Sequence, residues 1–319
     1  MKKAKATDLL LGVAIGDALG VPYEFSTREE MERNPAKEMV GNKVHNQPLG
    51  TWSDDSSLTF CLAESLLSGY DLKSTAIHFI KWRDEAYWTA HDEVFDMGIT
   101  TNHAITRLSK IIADGRFEDL KLLKGDADEY DNGNGSLMRI LPFIFEIKDK
   151  DLRKQFELVW ENSALTHRHI RAAMSCMIYL KLAEYLMNGY DKLLAYQKMR
   201  DDILILWNKM DFDSKERAHF KRIITLDISD VKKEEIKSGG YVIESLEASL
   251  WCFLTTDSFK SALLSAVNLG EDTDTTGAIT GGLAGLYYGR ENMPENWVSS
   301  LARVDDIIEL GEKLNRKSN

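Results

Sequence analysis

Apolar side chains recur at helical three-and-four spacing along almost the whole sequence, and this periodicity constrains the fold more than any other feature. Leu58, Cys61 and Leu62 follow it, as do Val242 and Leu246. No convincing run of alternating apolar and polar residues flanked by turn signals appears anywhere. The sequence therefore predicts an all-α fold.

The periodic segments give the predicted helices and the gaps between them give the predicted loops. Helices are expected at residues 8–19, 56–67, 73–87, 101–113, 136–146, 169–187, 191–207, 214–224, 241–253, 258–267, 276–288 and 304–314. The three long loops are 23–51, 124–135 and 227–240, and loops of this length inside a compact domain are often functional. No Pro/Gly/Ser-rich linker or change of composition divides the chain, so a compact single domain over residues 1–319 is predicted.

Four glycines recur every fourth position in the last strongly apolar helix, at Gly277, Gly281, Gly285 and Gly289. Each costs about 1 kcal/mol of helix propensity relative to alanine, so some other interaction must offset it. A smooth ridge that lets a second helix approach closely is the favoured interpretation, and direct contact with a ligand is the alternative.

Charge and composition exclude several classes of protein. The chain has 40 Lys and Arg against 51 Asp and Glu, a formal net charge of −11, which argues against broad nucleic-acid binding or attraction to an anionic membrane surface. The basic residues 1–5 and the apolar run after them resemble a secretory signal, but Gly16 and Asp17 interrupt the run and no cleavage pattern follows. No transmembrane segment is predicted. Three scattered cysteines without a C-x-x-C pair fit a reducing compartment, so a cytoplasmic location is expected.

Two acidic clusters precede predicted helices. The first is Ser53-Asp54-Asp55 and the second includes Asp272 and Asp274. Each cluster contains a suitable helix cap, because a side-chain oxygen accepts the free N–H groups of the first turn. One cap requires only one residue, however. Both clusters contain more acids and flanking hydroxyls than a cap needs. Hard divalent cations require several such oxygens, so the two clusters together predict a metal site.

The spacing of the acids suggests how they are shared. Asp272 and Asp274 are two positions apart, so in a non-helical turn their side chains can point the same way, whereas adjacent Asp54 and Asp55 diverge towards two different ions. About four carboxylates carry enough negative charge for two cations, and ligation by oxygen alone favours Mg²⁺ or Mn²⁺ over Zn²⁺.

Five motifs in this order resemble those of the ADP-ribosylglycohydrolases, the group that includes the dinitrogenase reductase-activating glycohydrolase. The resemblance covers residues 8 to 290 and implies a compact all-α fold with a binuclear Mg²⁺ or Mn²⁺ centre. It also implies hydrolysis of the bond between ADP-ribose and an acceptor, often arginine, with an ADP-ribosylated protein as substrate and ADP-ribose as product. The motifs are Gly12 to Phe25, Ser53-Asp54-Asp55, Asn132 to Arg139, Thr166 to His169 and Asp272 to Thr275.

The resemblance also assigns roles by position. It implies that Glu24 belongs to a loop closing on the metals, that Asp96 lies near the scissile ribose and that Asp272 serves catalysis as well as metal binding. The implied metal ligands are Ser53, Asp54, Asp55, Asp272, Asp274 and Thr275, and the implied substrate-binding residues are Gly133, Asn134, Gly135, Ser136 and His167. Small residues at 133–136 suit a phosphate cradle, because they expose backbone N–H groups to anions.

Two positions depart from the family pattern. Ser53 replaces a common threonine and keeps the oxygen, whereas Glu271 replaces a common glycine and adds a charge beside the centre. Two other functions stay open: the acceptor could be serine, a nucleic-acid base or O-acetyl-ADP-ribose, or the protein could be a non-catalytic, crystallin-like binder of ADP-ribose.

Overall fold

The computed structural model describes residues 6–125, 127–128 and 130–318. The described residues do not include the basic residues 1–5. They also leave out positions 126 and 129 of the predicted loop 124–135. The described chain contains no β-strand, only two isolated bridges, which agrees with the predicted all-α fold.

The α-helices differ mostly by a few residues from the predicted ones. In chain order they are α1 (Ala6–Gly20), α2 (Arg28–Arg33), α3 (Asp54–Ser65), α4 (Leu72–Glu85), α5 (Ile99–Ala113), α6 (Asp119–Leu122), α7 (Ile144–Ile147), α8 (Leu152–Ser163), α9 (Ile170–Met187), α10 (Lys192–Met210), α11 (Ser214–His219), α12 (Lys221–Ile224), α13 (Val242–Leu254), α14 (Phe259–Val267), α15 (Thr273–Tyr288), α16 (Glu295–Ser300) and α17 (Val304–Ser318). Short 3₁₀ turns occupy Val21–Tyr23, Lys43–His45, Leu66–Ser68, Leu123–Gly125, Asn134–Ser136, Leu141–Phe143, Ile228–Asp230, Lys233–Glu235 and Arg290–Asn292.

Helix α1 lies at the centre of the fold and is buried along its whole length. It packs against α15, α17 and α3, and the buried apolar side chains of the described residues form one continuous core around it. The stretch Ala6–Tyr23 is long and apolar enough to cross a membrane, yet it is entirely enclosed by the rest of the protein. A helix that is apolar all round is typical of such a central position.

The glycine ridge of α15 packs against matching glycines of α1. A Cβ built on Gly281 would lie 2.1 Å from the carbonyl oxygen of Gly12, and one on Gly16 would lie 2.0 Å from the carbonyl oxygen of Gly277. The predicted close approach of a second helix is therefore confirmed. Gly289 differs, because it ends α15 with a left-handed φ of 78°.

The predicted helix 136–146 is wrong. The chain there forms the 3₁₀ turns Asn134–Ser136 and Leu141–Phe143 and then the short α7. Pro142 explains the break, since it has no N–H to donate and its ring clashes with the preceding turn. The predicted helix 214–224 is likewise divided, into α11 and α12.

The sequence does not predict the helices α6 and α16, nor the helices α8 and α2. Helix α8 begins after Asp151, whose carboxylate accepts the N–H groups of Arg153 and Lys154. Helix α2 lies inside the predicted loop 23–51 and begins with a capping box between Thr27 and Glu30. Helix α2 consists mostly of charged residues, whereas α8 carries Leu152, Phe156 and Val159 at helical spacing. In both helices the capping residues are a further sequence signal.

Helices α3 and α15 begin two and three residues before their predicted starts. Asp54, Asp55 and Asp274 therefore belong to first helical turns, and Ser53 and Asp272 hold the N-cap positions. Residues two apart in a helix point in different directions, so Asp272 and Asp274 do not share the non-helical turn expected from the sequence.

Candidate metal centre and substrate cleft

Three buried carboxylates from three helices meet at the start of α15. Asp17 of α1, Asp55 of α3 and Asp274 of α15 each offer an oxygen, and these oxygens lie within 4.8 Å of one another. Within the described residues, Oδ1 of Asp55 and Oδ2 of Asp274 have no hydrogen-bond partner. Unpartnered buried carboxylate oxygens are costly, so this group fits a bound cation.

The electrostatics of the group lead to the same conclusion. Burial, followed by the charges of neighbouring acids, raises the pKa of both Asp55 and Asp274 well above its ordinary value. Burial also raises the pKa of Asp17 to about 6, although hydrogen bonds from Ser53 and Ser56 oppose the rise. Divalent cations would neutralise this concentrated negative charge, and an oxygen-only set is the kind that Mg²⁺ and Mn²⁺ accept.

Asp54 and Asp272 line the cleft next to this group. Asp272 holds the N-cap position of α15, but within the described chain its carboxylate makes no capping hydrogen bond. Its Oδ2 instead accepts a hydrogen bond of 2.7 Å from Nδ2 of Asn134. Burial and the charge of Asp96 raise the pKa of Asp54 well above its ordinary value. Asp54 thus lies in the cleft wall and Asp55 in the buried group, so the two adjacent side chains diverge as the sequence suggests.

The two predicted hydroxyl ligands both hold Asp55. Ser53 Oγ donates to Asp55 Oδ2 at 3.0 Å and accepts from the Asp55 N–H, so Ser53 also caps α3. Thr275 Oγ1 donates to the same Oδ2 at 3.3 Å. The N-termini of α3 and α15 thus face one site, and their dipoles favour the carboxylates gathered there.

The cleft has a volume of about 320 Å³ and extends from the acidic residues to the loop 133–135. Gly135 is required there, because a Cβ at this position would lie 2.5 Å from Cε1 of His167. His167 is buried in the cleft wall, and burial, assisted by Arg139 and Arg107, lowers its pKa to about 3. The imidazole is therefore neutral and adds no positive charge to the cleft.

Ser136 occupies a different position from the other predicted substrate-binding residues. Its side chain is fully buried, and its Oγ accepts a hydrogen bond of 2.9 Å from Ser163 Oγ. The cleft is lined by Gly133, Asn134, Gly135 and His167 but not by the Ser136 side chain. A substrate in the cleft would face the other four residues.

Glu24 and Asp96 lie close together in the lining of the cleft. The carboxyl of Glu24 is buried, and burial together with the charges of Asp96 and Asp272 raises its pKa to about 10. Ligand atoms of Glu24, His45 and Asp96 lie within 4.8 Å of one another. Glu24 and Asp96 therefore line the same cleft as Asp54 and Asp272, the third predicted catalytic acid.

Asp17 and His45 were not assigned a role from the sequence. Asp17 had a signal, namely a charged residue inside an otherwise apolar helix, but it was interpreted as an interruption of a signal-like run. His45 lies in a loop without a regular pattern and belongs to no metal-ligand spacing, so only its position in the fold brings it to Glu24.

Glu271 is accommodated beside the centre without entering the cleft. Its φ of 61° is left-handed, which explains why glycine is common at this position. Its N–H donates to the Ser26 carbonyl and its carbonyl accepts from the Phe25 N–H, both at 2.7 Å. The carboxylate lies near Gly239, with Oε2 3.4 Å from a Cβ built there. The added charge therefore lies outside the residues that line the cleft.

Comparison with known proteins identifies the group to which this site belongs. The family model described as ADP-ribosylglycohydrolase matches residues 1–319. The chain belongs to the ADP-ribosylglycohydrolase family. The ADP-ribosylarginine hydrolase Tri1 of Serratia proteamaculans is 31% identical over 97% of this chain and 78% of its own length. The ADP-ribosyl-dinitrogen reductase glycohydrolase of Rhodospirillum rubrum is 27% identical over 93% of this chain and 90% of its own.

A solved structure of the same family supports the fold. The chain resembles the "ADP-ribosylglycohydrolase-related protein complex" with a TM-score of 0.79 and 28% identity, covering 100% of both chains. The family resemblance seen in the sequence motifs is thus confirmed over the full length. Membership supports a hydrolase acting on ADP-ribosyl compounds, and this ADP-ribosylglycohydrolase has buried acidic groups of a kind that could hold a metal ion.

Proposed function

We propose that the protein is a Mg²⁺- or Mn²⁺-dependent hydrolase that removes ADP-ribose from arginine side chains of modified proteins. The observation that carries the proposal is the buried group of Asp17, Asp55 and Asp274, with unpartnered oxygens, next to Asp54 and Thr275 of the cleft lining. Similarity to an ADP-ribosylarginine hydrolase along 97% of the chain supports arginine as the acceptor. A cytoplasmic location remains part of the proposal.

The residues that would hold the cations are Ser53, Asp54, Asp55, Asp272, Asp274 and Thr275, to which the geometry adds Asp17. Divalent cations in such a site act as Lewis acids that activate water and help to orient the substrate. Gly133, Asn134 and Gly135 would bind the phosphates and distal ribose. Neutral His167 would support that loop through its packing against Gly133 and Gly135. Asn134 also fixes Asp272 and so couples the two parts of the cleft.

In the proposed reaction, a water oxygen forms a bond to the anomeric carbon of the ribose while the bond from that carbon to the guanidine nitrogen breaks. The nitrogen keeps the electron pair and gains a proton, and the attacking water loses one. Glu24 or Asp96, which both line the cleft, would carry this proton. The products are ADP-ribose and unmodified arginine.

The test is release of ADP-ribose from a protein carrying ADP-ribosyl-arginine, with Mg²⁺, with Mn²⁺ and with EDTA. A protein carrying ADP-ribosyl-serine is assayed in parallel. Metal-dependent release from arginine supports the proposal, whereas release from serine alone changes the acceptor. No release from either, with ADP-ribose still bound, favours the binding protein.

The variants Asp54→Ala and Asp272→Ala should abolish turnover while the protein stays folded, because each removes a carboxylate from the cleft wall. Asp151→Ala is the matched control, since it removes an exposed cap of α8 outside the site. Normal turnover in either cleft variant would overturn the proposed centre.

A further inference from the structure

A tight hairpin at residues 42–47 carries His45 towards the cleft. The Asn42 N–H donates to the Gln47 carbonyl at 2.6 Å, and the turn Lys43–His45 lies between them. Asn42, Lys43 and Asn46 have left-handed φ angles of 65°, 61° and 51°. Three left-handed residues that are not glycine cost conformational energy, and such strain is common where a side chain must be held in one place.

The hairpin is attached to the segment that precedes Glu24. The Lys43 ammonium lies 3.5 Å from the ring centroid of Tyr23, and the turn Lys43–His45 packs on the turn Val21–Tyr23. The cation–π contact and the packing fix the hairpin relative to the backbone of Glu24.

The His45 side chain forms a hydrogen bond with Glu24. Its Nε2 lies 2.5 Å from Glu24 Oε2, and the two side chains are 17% and 6% exposed. The imidazole packs against the rings of both Phe25 and Phe95, with centroid distances of 6.1 and 5.5 Å. The ring is therefore held in place by packing as well as by its hydrogen bond.

Other groups that act on Glu24 are the acids Asp96, Asp272 and Asp54, and Asp96 also shares a hydrogen bond with the Glu24 side chain. The carboxylates of Asp96 and Asp272 act on it with the same sign of charge. Phe25, the next residue, is 68% exposed and has a left-handed φ, so the apolar core does not anchor the chain there.

We propose that His45 is a positioning residue that holds the Glu24 carboxyl at the cleft through its Nε2 hydrogen bond. The inference rests on the proposed hydrolase function, in which Glu24 or Asp96 carries the proton. Displacing a reacting group by about 1 Å is enough to lower a rate roughly 10²-fold.

The variants that test this role are His45→Ala, which removes the hydrogen bond, and His45→Gln, whose amide nitrogen can restore it. His91→Gln is the matched control, because His91 Nε2 also bonds to a loop side chain, the Thr51 hydroxyl at 2.9 Å. With ADP-ribosyl-arginine protein as substrate, His45→Ala should lower kcat roughly 10²-fold. KM and the Kd for ADP-ribose should change by less than about threefold, as expected when chemistry and not binding is impaired.

His45→Gln should recover most of the lost kcat, and His91→Gln should behave as the wild type. Equal kcat in His45→Ala and wild type would overturn the inference, as would a His45→Gln variant no better than His45→Ala. A uniform loss of ADP-ribose binding and melting temperature would also overturn it, because it would show a purely structural role.

Crystal structures of the wild type, His45→Ala and His45→Gln give a second readout that does not depend on turnover. The Glu24 carboxyl should leave its place in His45→Ala and keep it in His45→Gln, and an unmoved carboxyl in His45→Ala would contradict the inference. An inactive wild type would count against the proposed hydrolase, while these structures would still decide whether His45 positions Glu24.

Discussion

Asp17 shows how much of the site depends on a single buried side chain. Its Oδ1 accepts the Ser53 N–H at 2.9 Å, and its Oδ2 accepts the Ser56 N–H at 2.9 Å and the Ser56 Oγ hydrogen at 2.6 Å. It therefore satisfies the start of α3 from a different helix while offering an oxygen near Asp55 and Asp274. A carboxylate accepts several hydrogen bonds and donates none, which suits this role.

The first prediction concerns Asp17→Asn. The new amide must turn an NH₂ group towards at least one of the donors on α3, which leaves buried donors unsatisfied. We expect a loss of about 2–4 kcal/mol in the free energy of unfolding, measured with urea. Asp71→Asn is the control, because Asp71 accepts the first N–H groups of α4 at an exposed helix start and should cost about 1 kcal/mol or less. Equal losses in the two variants would contradict the argument.

The second prediction concerns Glu247 on α13, away from the cleft. Burial raises its pKa to about 7, although Arg222, 3.4 Å away, opposes the rise and Glu244 adds to it. The folded state thus binds this proton more tightly than the unfolded chain, in which the pKa is about 4.5. The stability from this group is fully present below that unfolded value and is lost as pH rises through 7.

At pH 8, Glu247→Gln should therefore have a free energy of unfolding, measured with urea, that is higher than that of the wild type by roughly 1–3 kcal/mol. The difference should shrink towards pH 5. Glu309→Gln on α17 serves as the control, since the Glu309 side chain is 62% exposed and its replacement should matter little at either pH. A difference that stays constant from pH 5 to pH 8 would argue against the buried proton.

At the scale of elements, the contact between α1 and α15 sets the geometry of the site. The glycines that allow this contact continue to Gly20, where a Cβ would lie 2.4 Å from the Asp274 backbone. Thr273 Oγ1 donates to the Gly20 carbonyl at 2.8 Å, which ties the start of α15 to the end of α1. The close approach therefore brings Asp17 and Asp274 together from opposite helices.

The third prediction is that Gly281→Ala strongly destabilises the protein. The added methyl group meets the Gly12 carbonyl, which is backbone and cannot move without separating the two helices. We expect a loss of about 3 kcal/mol or more in urea unfolding, or failure to obtain folded protein. Gly98→Ala is the control, because the nearest atom to its added Cβ is the Thr101 hydroxyl at 3.8 Å. A stable, fully folded Gly281→Ala variant would show that the helices can separate at little cost.

At the scale of the whole molecule, folding concentrates negative charge from distant parts of the sequence. Asp55 and Thr275 form a hydrogen bond although 220 positions separate them along the chain. The unfolded chain does not assemble this set of oxygens, so a cation that binds the folded state stabilises it by mass action.

The fourth prediction follows from this concentration of charge. Mg²⁺ or Mn²⁺ at about 100 times its Kd should stabilise the wild type by roughly 3 kcal/mol, raising Tm by several degrees, and EDTA should reverse the shift. In EDTA, Asp55→Asn should melt no lower than the wild type, because it removes one of several mutually repelling buried charges. With metal present, Asp55→Asn should melt at a lower temperature than the wild type. A wild-type Tm that does not respond to either ion would contradict the metal centre.

The sequence alone determined the all-α class, most of the helices and the two acidic helix starts, because helical periodicity and capping are local properties of neighbouring residues. Its motifs also led to the family. It missed the break at Pro142 and the charged helices α2 and α8, whose capping residues Thr27 and Asp151 are the local signals for them.

Only the tertiary structure decided which distant groups meet. The packing of α1 on α15 brings Asp17 to the carboxylates of α3 and α15, and a hairpin in an irregular loop brings His45 to Glu24. It also turns the Ser136 hydroxyl into the core and the Glu271 carboxylate away from the cleft. No local pattern encodes these outcomes, because each is set by contacts between segments far apart in the chain, and those contacts exist only once the helices have packed.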